Sequence, residues 1–344
     1  LRDHLGYQAL RIKPKAENDM EARRQAKLGK GIGLILTVFA LAVGSCRQGA
    51  SSRVETPAQA KNELASLKPE FLFRGKIVFQ SDMDGDNEIY LMTRDGVAKL
   101  TDNAWNDEYP RWSPDGSRIA FAANPKGNYD IFFMNADGSG ITPIVNSPAD
   151  EVEPAWFPDG NAIAYTIEKK GLLSGEAVLM RADLRTGVRD RLIPGFERTH
   201  GISDISPTAP LVAFTGKRLL GWDVFLHDLN KGESIALTDG GQSCRPRFSK
   251  DGTKIAYVSS RADGKGDIWT MNPDGSDNVR LTERDATSDY FPSWSPDGKY
   301  IVFCTSTEHS PKRGIWTLFV VKTATKTVAP LLKGPERALF PDWD

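Results

Sequence analysis

Short apolar runs recur along the chain, separated by stretches rich in Gly, Asp and Pro. One set reads Ile77-Val78-Phe79, Ile119-Ala120-Phe121, Ile163-Ala164-Tyr165, Val212-Ala213-Phe214, Ile255-Ala256-Tyr257 and Ile301-Val302-Phe303. A second run follows, as in Ile89-Tyr90-Leu91-Met92, Ile131-Phe132-Phe133-Met134 and Ile268-Trp269-Thr270-Met271. These runs are β-branched or aromatic, and no helical period competes with them. They predict strands joined by hairpins. After the second run come an Asp-Gly turn (Asp95-Gly96, Asp137-Gly138, Asp274-Gly275) and a segment ending in Leu-Thr (Leu100-Thr101, Leu237-Thr238, Leu281-Thr282).

Before the first run of each unit stands a phrase that returns every 43–49 residues. It reads Tyr109-Pro110-Arg111-Trp112-Ser113-Pro114-Asp115-Gly116, and then Glu153-Pro154-Ala155-Trp156-Phe157-Pro158-Asp159-Gly160. It recurs at Arg245-Pro246-Arg247-Phe248-Ser249-Lys250-Asp251-Gly252 and at Phe291-Pro292-Ser293-Trp294-Ser295-Pro296-Asp297-Gly298. A degenerate copy sits at Ser203-Asp204-Ile205-Ser206-Pro207, and a truncated one is Phe340-Pro341-Asp342-Trp343. A fixed period of this size means repeated supersecondary units. The Pro-Asp-Gly turns have a mechanical purpose: Pro presets φ, Asp bonds its own backbone and Gly accepts positive φ. Their Asp residues are turn chemistry, not catalytic groups.

Counting strands predicts closure. Six opening strands start near Asp107, Glu151, His200, Ser243, Asp289 and Ala338, and six three-strand sets start near Lys76, Arg118, Asn161, Leu211, Lys254 and Tyr300. The first set lacks an opening strand and the last opening strand lacks a set. The expected fold is therefore all-β, a six-bladed β-propeller in which the C-terminal strand completes the first blade and removes an open edge.

The Trp-Ser-Pro-Asp-Gly phrases at 112–116 and 294–298 resemble the repeats of TolB-type β-propellers, as do Ile131 to Gly138 and Asp267 to Gly275. The resemblance covers roughly residues 70–344. It implies the propeller half alone, without the α/β domain that precedes the propeller in TolB.

The N-terminal segment differs. Ile32 to Gly44 is uncharged and mostly apolar, and Arg23, Arg24, Lys27 and Lys30 precede it. This is short for a membrane span and has the flanks of a secretory signal peptide. Val43-Gly44-Ser45-Cys46 resembles a bacterial lipobox, which implies diacylglycerol on Cys46. We expect residues 1–45 to hold the signal peptide, with Met20 a plausible start. Residues 46–70 are expected to form the lipidated Cys and a flexible tether, and residues 71–344 the propeller. Arg47 after the Cys favours passage to the outer membrane, facing the periplasm. An acylated N-terminal Cys would anchor the chain stably. That leaves Cys244 and Cys304; a periplasmic disulfide is allowed, but they fall in adjacent blades and read as free thiols.

Charge narrows the choice of partners. Lys and Arg total 44 and Asp and Glu 45, which leaves no basic field for nucleic acid. The expected form is a monomer.

Alternating strand directions place the short, uniform turns on one face. Blade-to-blade connections and the variable loops between second and third strands lie on the other, where binding usually sits. Aligned starts of the opening strands give a ring, Asp107, Glu151, His200, Ser243, Asp289 and Ala338, expected near the channel mouth. Such a ring could hold a cation, a sugar or a basic side chain, or simply solvate a wet channel. Asp82, Asp84, Asp86 and Glu88 form a weak calcium-loop candidate, also explained as a polar hairpin. Otherwise no cofactor is expected. Basic loop tips at Lys169-Lys170, Lys217-Arg218 and Lys312-Arg313 share that face.

Peptidase chemistry on this repeat type needs an α/β domain with Gly-x-Ser-x-Gly, and no such pentapeptide occurs. A lyase resembling oligogalacturonate lyase would need several His ligands. After signal cleavage only His200, His227 and His309 remain. The expectation is a non-enzymatic, lipid-anchored envelope module that binds a protein or peptidoglycan-associated partner through its variable face. The alternative is a sugar- or cation-binding protein, or a polysaccharide-degrading enzyme, with its site at the channel mouth.

Overall fold

The computed structural model describes residues 75–344 except 84, 169–176, 196–198, 200, 202, 219–220, 308–314 and 333–336. Its strands form six four-stranded antiparallel sheets arranged as propeller blades. Blade 2 shows the plan: β4 (Asp107–Trp112), β5 (Arg118–Ala123), β6 (Asp130–Asn135) and β7 (Thr142–Val145) pair in chain order from axis to rim. Blade 1 is joined out of sequence. β24 (Ala338–Trp343) pairs with β1 (Ile77–Ser81), which continues to β2 (Glu88–Thr93) and β3 (Gly96–Lys99). The chain's last strand thus closes the ring, as the strand count predicts.

The inner strands of blades 3, 5 and 6 are β8 (Asp150–Trp156), β16 (Ser243–Phe248) and β20 (Ser288–Trp294). In blade 4, where the phrase degenerates, the inner strand shrinks to β12 (Asp204–Ile205).

Each repeated sequence signal has a structural purpose. In the turns, the Gly116 and Gly252 N–H groups donate to the Ser113 and Ser249 carbonyls at 2.9 and 2.8 Å. Both glycines have positive φ, 66° and 72°, which explains why Gly recurs there. The Leu-Thr endings lock the third strands: the N–H groups of Ile89, Val224 and Ile268 donate to the hydroxyls of Thr101, Thr238 and Thr282 at 2.9–3.0 Å. A buried N–H left without a partner would cost about 1–3 kcal/mol, so the Thr matters for stability.

Apolar side chains fill the seams between blades. Val78, Ile89, Trp112, Ile119, Phe121 and Met134 form one buried cluster from blades 1 and 2. The inner-strand tryptophans reach across these seams: the Trp156 and Trp294 indoles donate to the carbonyls of Arg111 and Arg247, each at 3.1 Å. Burying a large apolar side chain contributes roughly 1.5–3 kcal/mol. Repetition of these seams around the ring makes them the main source of stability.

Candidate functional site

The axis is shaped by one backbone feature. Tyr109, Glu153, Arg245, Phe291 and Phe340, each immediately before the Pro of its phrase, have φ of 58°, 57°, 57°, 57° and 51°. Left-handed backbone costs a non-Gly residue about 1–2 kcal/mol. The pairing registers of β4, β8, β16, β20 and β24 with their neighbours shift across this point. Each is a β-bulge on an edge strand, where the missing N–H of Pro breaks no ladder bond. The bulge turns side chains toward the axis that a regular strand would aim elsewhere.

Two layers follow from it. The bulge residues make an aromatic collar, with Tyr109 and Phe340 ring centroids 4.5 Å apart and Phe291 and Phe340 4.0 Å apart. The Arg245 guanidinium lies 4.6 Å from the Phe291 ring centre and 5.2 Å from that of Tyr290. The cavity among them is about 30 Å³, little more than room for one water.

Two residues further along, the position between Pro and Trp reads Arg111, Ala155, Asp204, Arg247, Ser293 and Asp342 around the six blades. Its charged members alternate across the channel. Arg111 contacts Asp204 at 2.5 Å and Asp342 at 3.8 Å, while Arg247 contacts Asp204 at 3.7 Å and also bonds Asp342. Backbone groups complete the carboxylates: Trp112 N–H donates to Asp342 at 2.8 Å and Phe248 N–H to Asp204 at 2.7 Å. Burial raises the Asp342 pKa, but the Arg247 and Arg111 charges overcome it and hold the group at about 2. Burial and the neighbouring Arg247 charge lower the Arg111 pKa, against the pull of Asp204 and Asp342. This alternating ring floors a cavity of about 360 Å³. Pro114, Pro158 and Lys250 on its lining are exposed, so the cavity opens to solvent on the face of the short turns.

The residues proposed from sequence lie elsewhere. Asp107, Glu151, Ser243 and Asp289 are 0–2% exposed and do not line either of these two cavities. They sit in the blade seams ahead of the bulge. The Asn103 amide donates to Asp107 at 2.7 Å, Ser243 bonds Ser259 at 3.0 Å and the Thr305 hydroxyl donates to Asp289 at 2.6 Å. Burial, opposed by bonds from Asn103 and Thr101 and aided by Glu88, pushes Asp107 up to about 7. Burial likewise raises Glu151 and Asp289.

His200 and Asp84 lie outside the described residues, as do Cys46, His309, Lys169-Lys170 and Lys312-Arg313. Glu88 is fully buried, accepting from the Thr101 hydroxyl at 2.5 Å and the Asn103 N–H at 2.7 Å, and Asp82 pairs with Arg337 at 2.9 Å. The Glu88 carboxylate is thus engaged in hydrogen bonds within the fold. Among the described residues no three His, Cys, Asp or Glu side chains are grouped to hold a metal. Lys217 lies in a strand, its ammonium 5.4 Å from the Trp222 ring centre. His227 is buried against the Ser234 hydroxyl, and burial lowers its pKa. Cys244 and Cys304 are free thiols.

Known proteins agree with this architecture. The family model "TolB beta propeller domain" matches residues 97–173. An uncharacterized protein of Agrobacterium fabrum strain C58 is 36% identical over 99 residues, 28% of this chain and 33% of that protein. The Tol-Pal system protein TolB of Nitratidesulfovibrio vulgaris strain Hildenborough is 34% identical over 94 residues, 27% of this chain and 19% of that protein. The matched segments thus span a third or less of these relatives. The crystal structure of TolB from Acinetobacter baumannii superposes with a TM-score of 0.64 at 20% identity, covering 83% of this chain and 70% of the other. The fold class is a six-bladed β-propeller. Within that class, the repeats at residues 97–173 are similar to the TolB β-propeller domain.

Proposed function

We propose that the protein is a lipid-anchored scaffold of the bacterial cell envelope, held by Cys46, whose propeller receives a protein partner. The observation that supports this most is the form of the axis. The channel is closed in its middle by the aromatic collar and the Arg–Asp ring, which leaves a blind cup of about 360 Å³ open on one face. The charged groups of its floor, Arg111, Asp204, Arg247 and Asp342, are paired with one another. Such a cup suits a projecting segment of a partner better than a reaction. The envelope setting is supported by the likeness to TolB proteins and the lipobox-like Val43-Gly44-Ser45-Cys46.

Two measurements test this. Cys46→Ser should move the protein from the membrane fraction to the soluble one; retention in the membrane would exclude the lipid anchor. A pull-down from envelope extract with the chain from Arg47 onward should recover one stoichiometric protein. Recovery of oligosaccharide alone would overturn the scaffold reading.

A further inference from the structure

The connection from blade 1 to blade 2, Thr101 to Asn106, is fastened to two buried carboxyl groups. Glu88 at the start of β2 and Asp107 at the start of β4 lie within hydrogen-bonding reach of each other across the seam. Asn103 spans the pair. Its side-chain amide donates to Asp107 at 2.7 Å and to Glu88 at 3.4 Å, and its backbone N–H donates to Glu88 at 2.7 Å. The Asn103 side-chain oxygen accepts the N–H of Trp105 at 3.0 Å, and Trp105 is exposed. The Asp107 N–H closes the connection by donating to the Asn87 carbonyl at 2.7 Å.

The donors are unequally shared. Glu88 takes both groups of Asn103 and the single hydroxyl hydrogen of Thr101, at 2.5 Å. The Lys99 ammonium lies 3.6 Å from Glu88 and is shared with the exposed Asp102, at 2.5 Å. Asp107 takes the Asn103 amide on one oxygen, while its other oxygen is buried without a partner. The further titratable neighbours do not compensate it. Tyr129 feels Asp107 but stays neutral, its pKa raised by burial, and Glu108 is bonded to Tyr129 and Asn87. Two ionised carboxylates in contact repel and leave that oxygen bare; a proton on Asp107 supplies a donor between them.

Other seams solve the same problem without a proton. Between blades 4 and 5, Asp223 stands for Glu88, accepting the Thr238 hydroxyl at 2.9 Å and the Gly241 N–H at 3.2 Å, but Ser243 stands for Asp107. Between blades 5 and 6, Arg280 lies 2.7 Å from Asp267 and Arg284 lies 3.7 Å from Asp289.

We propose that one proton shared by Asp107 and Glu88 latches the Thr101–Asn106 connection to the seam, and that its loss releases the Trp105 loop. The propeller thus carries a pH-sensitive loop on the face of the blade-to-blade connections. This goes beyond the scaffold reading and does not depend on it. Asp107 titrates near 7 in the fold, against an ordinary value near 4. The latch is therefore closed below neutral pH. Opening returns Asp107 to water, so it becomes about tenfold easier for each pH unit above 7.

The test is hydrogen exchange of the full chain, read by mass spectrometry from about pH 5 to about pH 9, each rate divided by its intrinsic value at that pH. Protection of residues 101–106 should be flat below neutrality and then fall about tenfold per pH unit, while residues 238–242 in the Ser243 seam keep theirs. Asp107→Asn, folded by its melting temperature, should hold protection level throughout. Asp107→Ser, which copies the seam between blades 4 and 5, gives the same reading where the Asn variant does not fold. An infrared carbonyl band of a protonated carboxylic acid should be present at pH 6 in the parent and weaker in either variant. A flat profile in the parent, an equal fall in residues 238–242, or the parent's slope retained in a folded variant would overturn the inference. So would a carbonyl band unchanged by the substitution. No partner enters the experiment, so failure of the scaffold reading leaves its outcome untouched.

Discussion

At one end of the inner strands carboxylates face carboxylates, and a few residues further along they face guanidiniums. Asp107 neighbours Glu88, Glu151 neighbours Asp130, and Asp289 acts on Asp267, each pair lying across a blade seam. Burial and the like charge both raise the pKa of Asp107, and one of its oxygens has no hydrogen-bond partner. Asp342 is as deeply buried, yet two guanidiniums keep it ionised. The same residue type at two positions of the inner strands is thus shifted in opposite directions, and the difference lies in the partner rather than in the burial.

Removing Asp342 should give the largest effect. Asp342→Ala strands two buried guanidiniums and the Trp112 N–H, and should cost about 3–5 kcal/mol in urea unfolding. A loss below 1 kcal/mol, roughly the worth of a surface pair, would show that the ring is not a compensated buried network. Asp107→Asn should act in the opposite direction. Its folded pKa near 7 lies above the ordinary carboxylate value, so the group favours folding below pH of about 4 and loses that contribution as pH rises toward 7. The Asn variant should therefore be more stable at pH 8, by on the order of 2 kcal/mol, with the gain vanishing near pH 4. Equal stability at both pH values would break the comparison.

Glu151→Gln should show the same sign with a smaller gain. For Asp342 the pH window is reversed: its depressed pKa means stability present above about pH 4 and lost as pH falls toward 2. Smallest of all is the exposed Lys254–Asp277 pair, at 2.5 Å. Lys254→Ala should change stability by less than about 1 kcal/mol, which calibrates the buried ring against a solvated pair.

The fold could be read because each repeat declares its own strands and turns, and because the unmatched Phe340-Pro341-Asp342-Trp343 requires a first blade to complete. The axial site was hidden by the bulge. Aligning the starts of the opening strands suggests that Asp107 and its counterparts surround the axis, but a left-handed residue before Pro breaks the strand's regularity, and Tyr109 and Arg111, beyond that start, line the axial cavities. The signal was present in the column between Pro and Trp, where Arg111, Asp204, Arg247 and Asp342 alternate in charge. Asp204 was hardest to use, since it belongs to the degenerate copy, whose inner strand is only two residues long. Lys250 was visible as a missing Pro, yet its place on the lining of an axial cavity depends on the bulge geometry, which the sequence does not declare.

The closing strand β24 has a consequence for folding. It brings Asp342, half the acidic members of the floor, to a ring whose two guanidiniums come from blades 2 and 5. Until β24 pairs with β1, Arg111 and Arg247 share a single counter-charge, Asp204. Docking of this strand converts that repulsive axis into a neutral floor, so the ring and its charge balance are completed in one step.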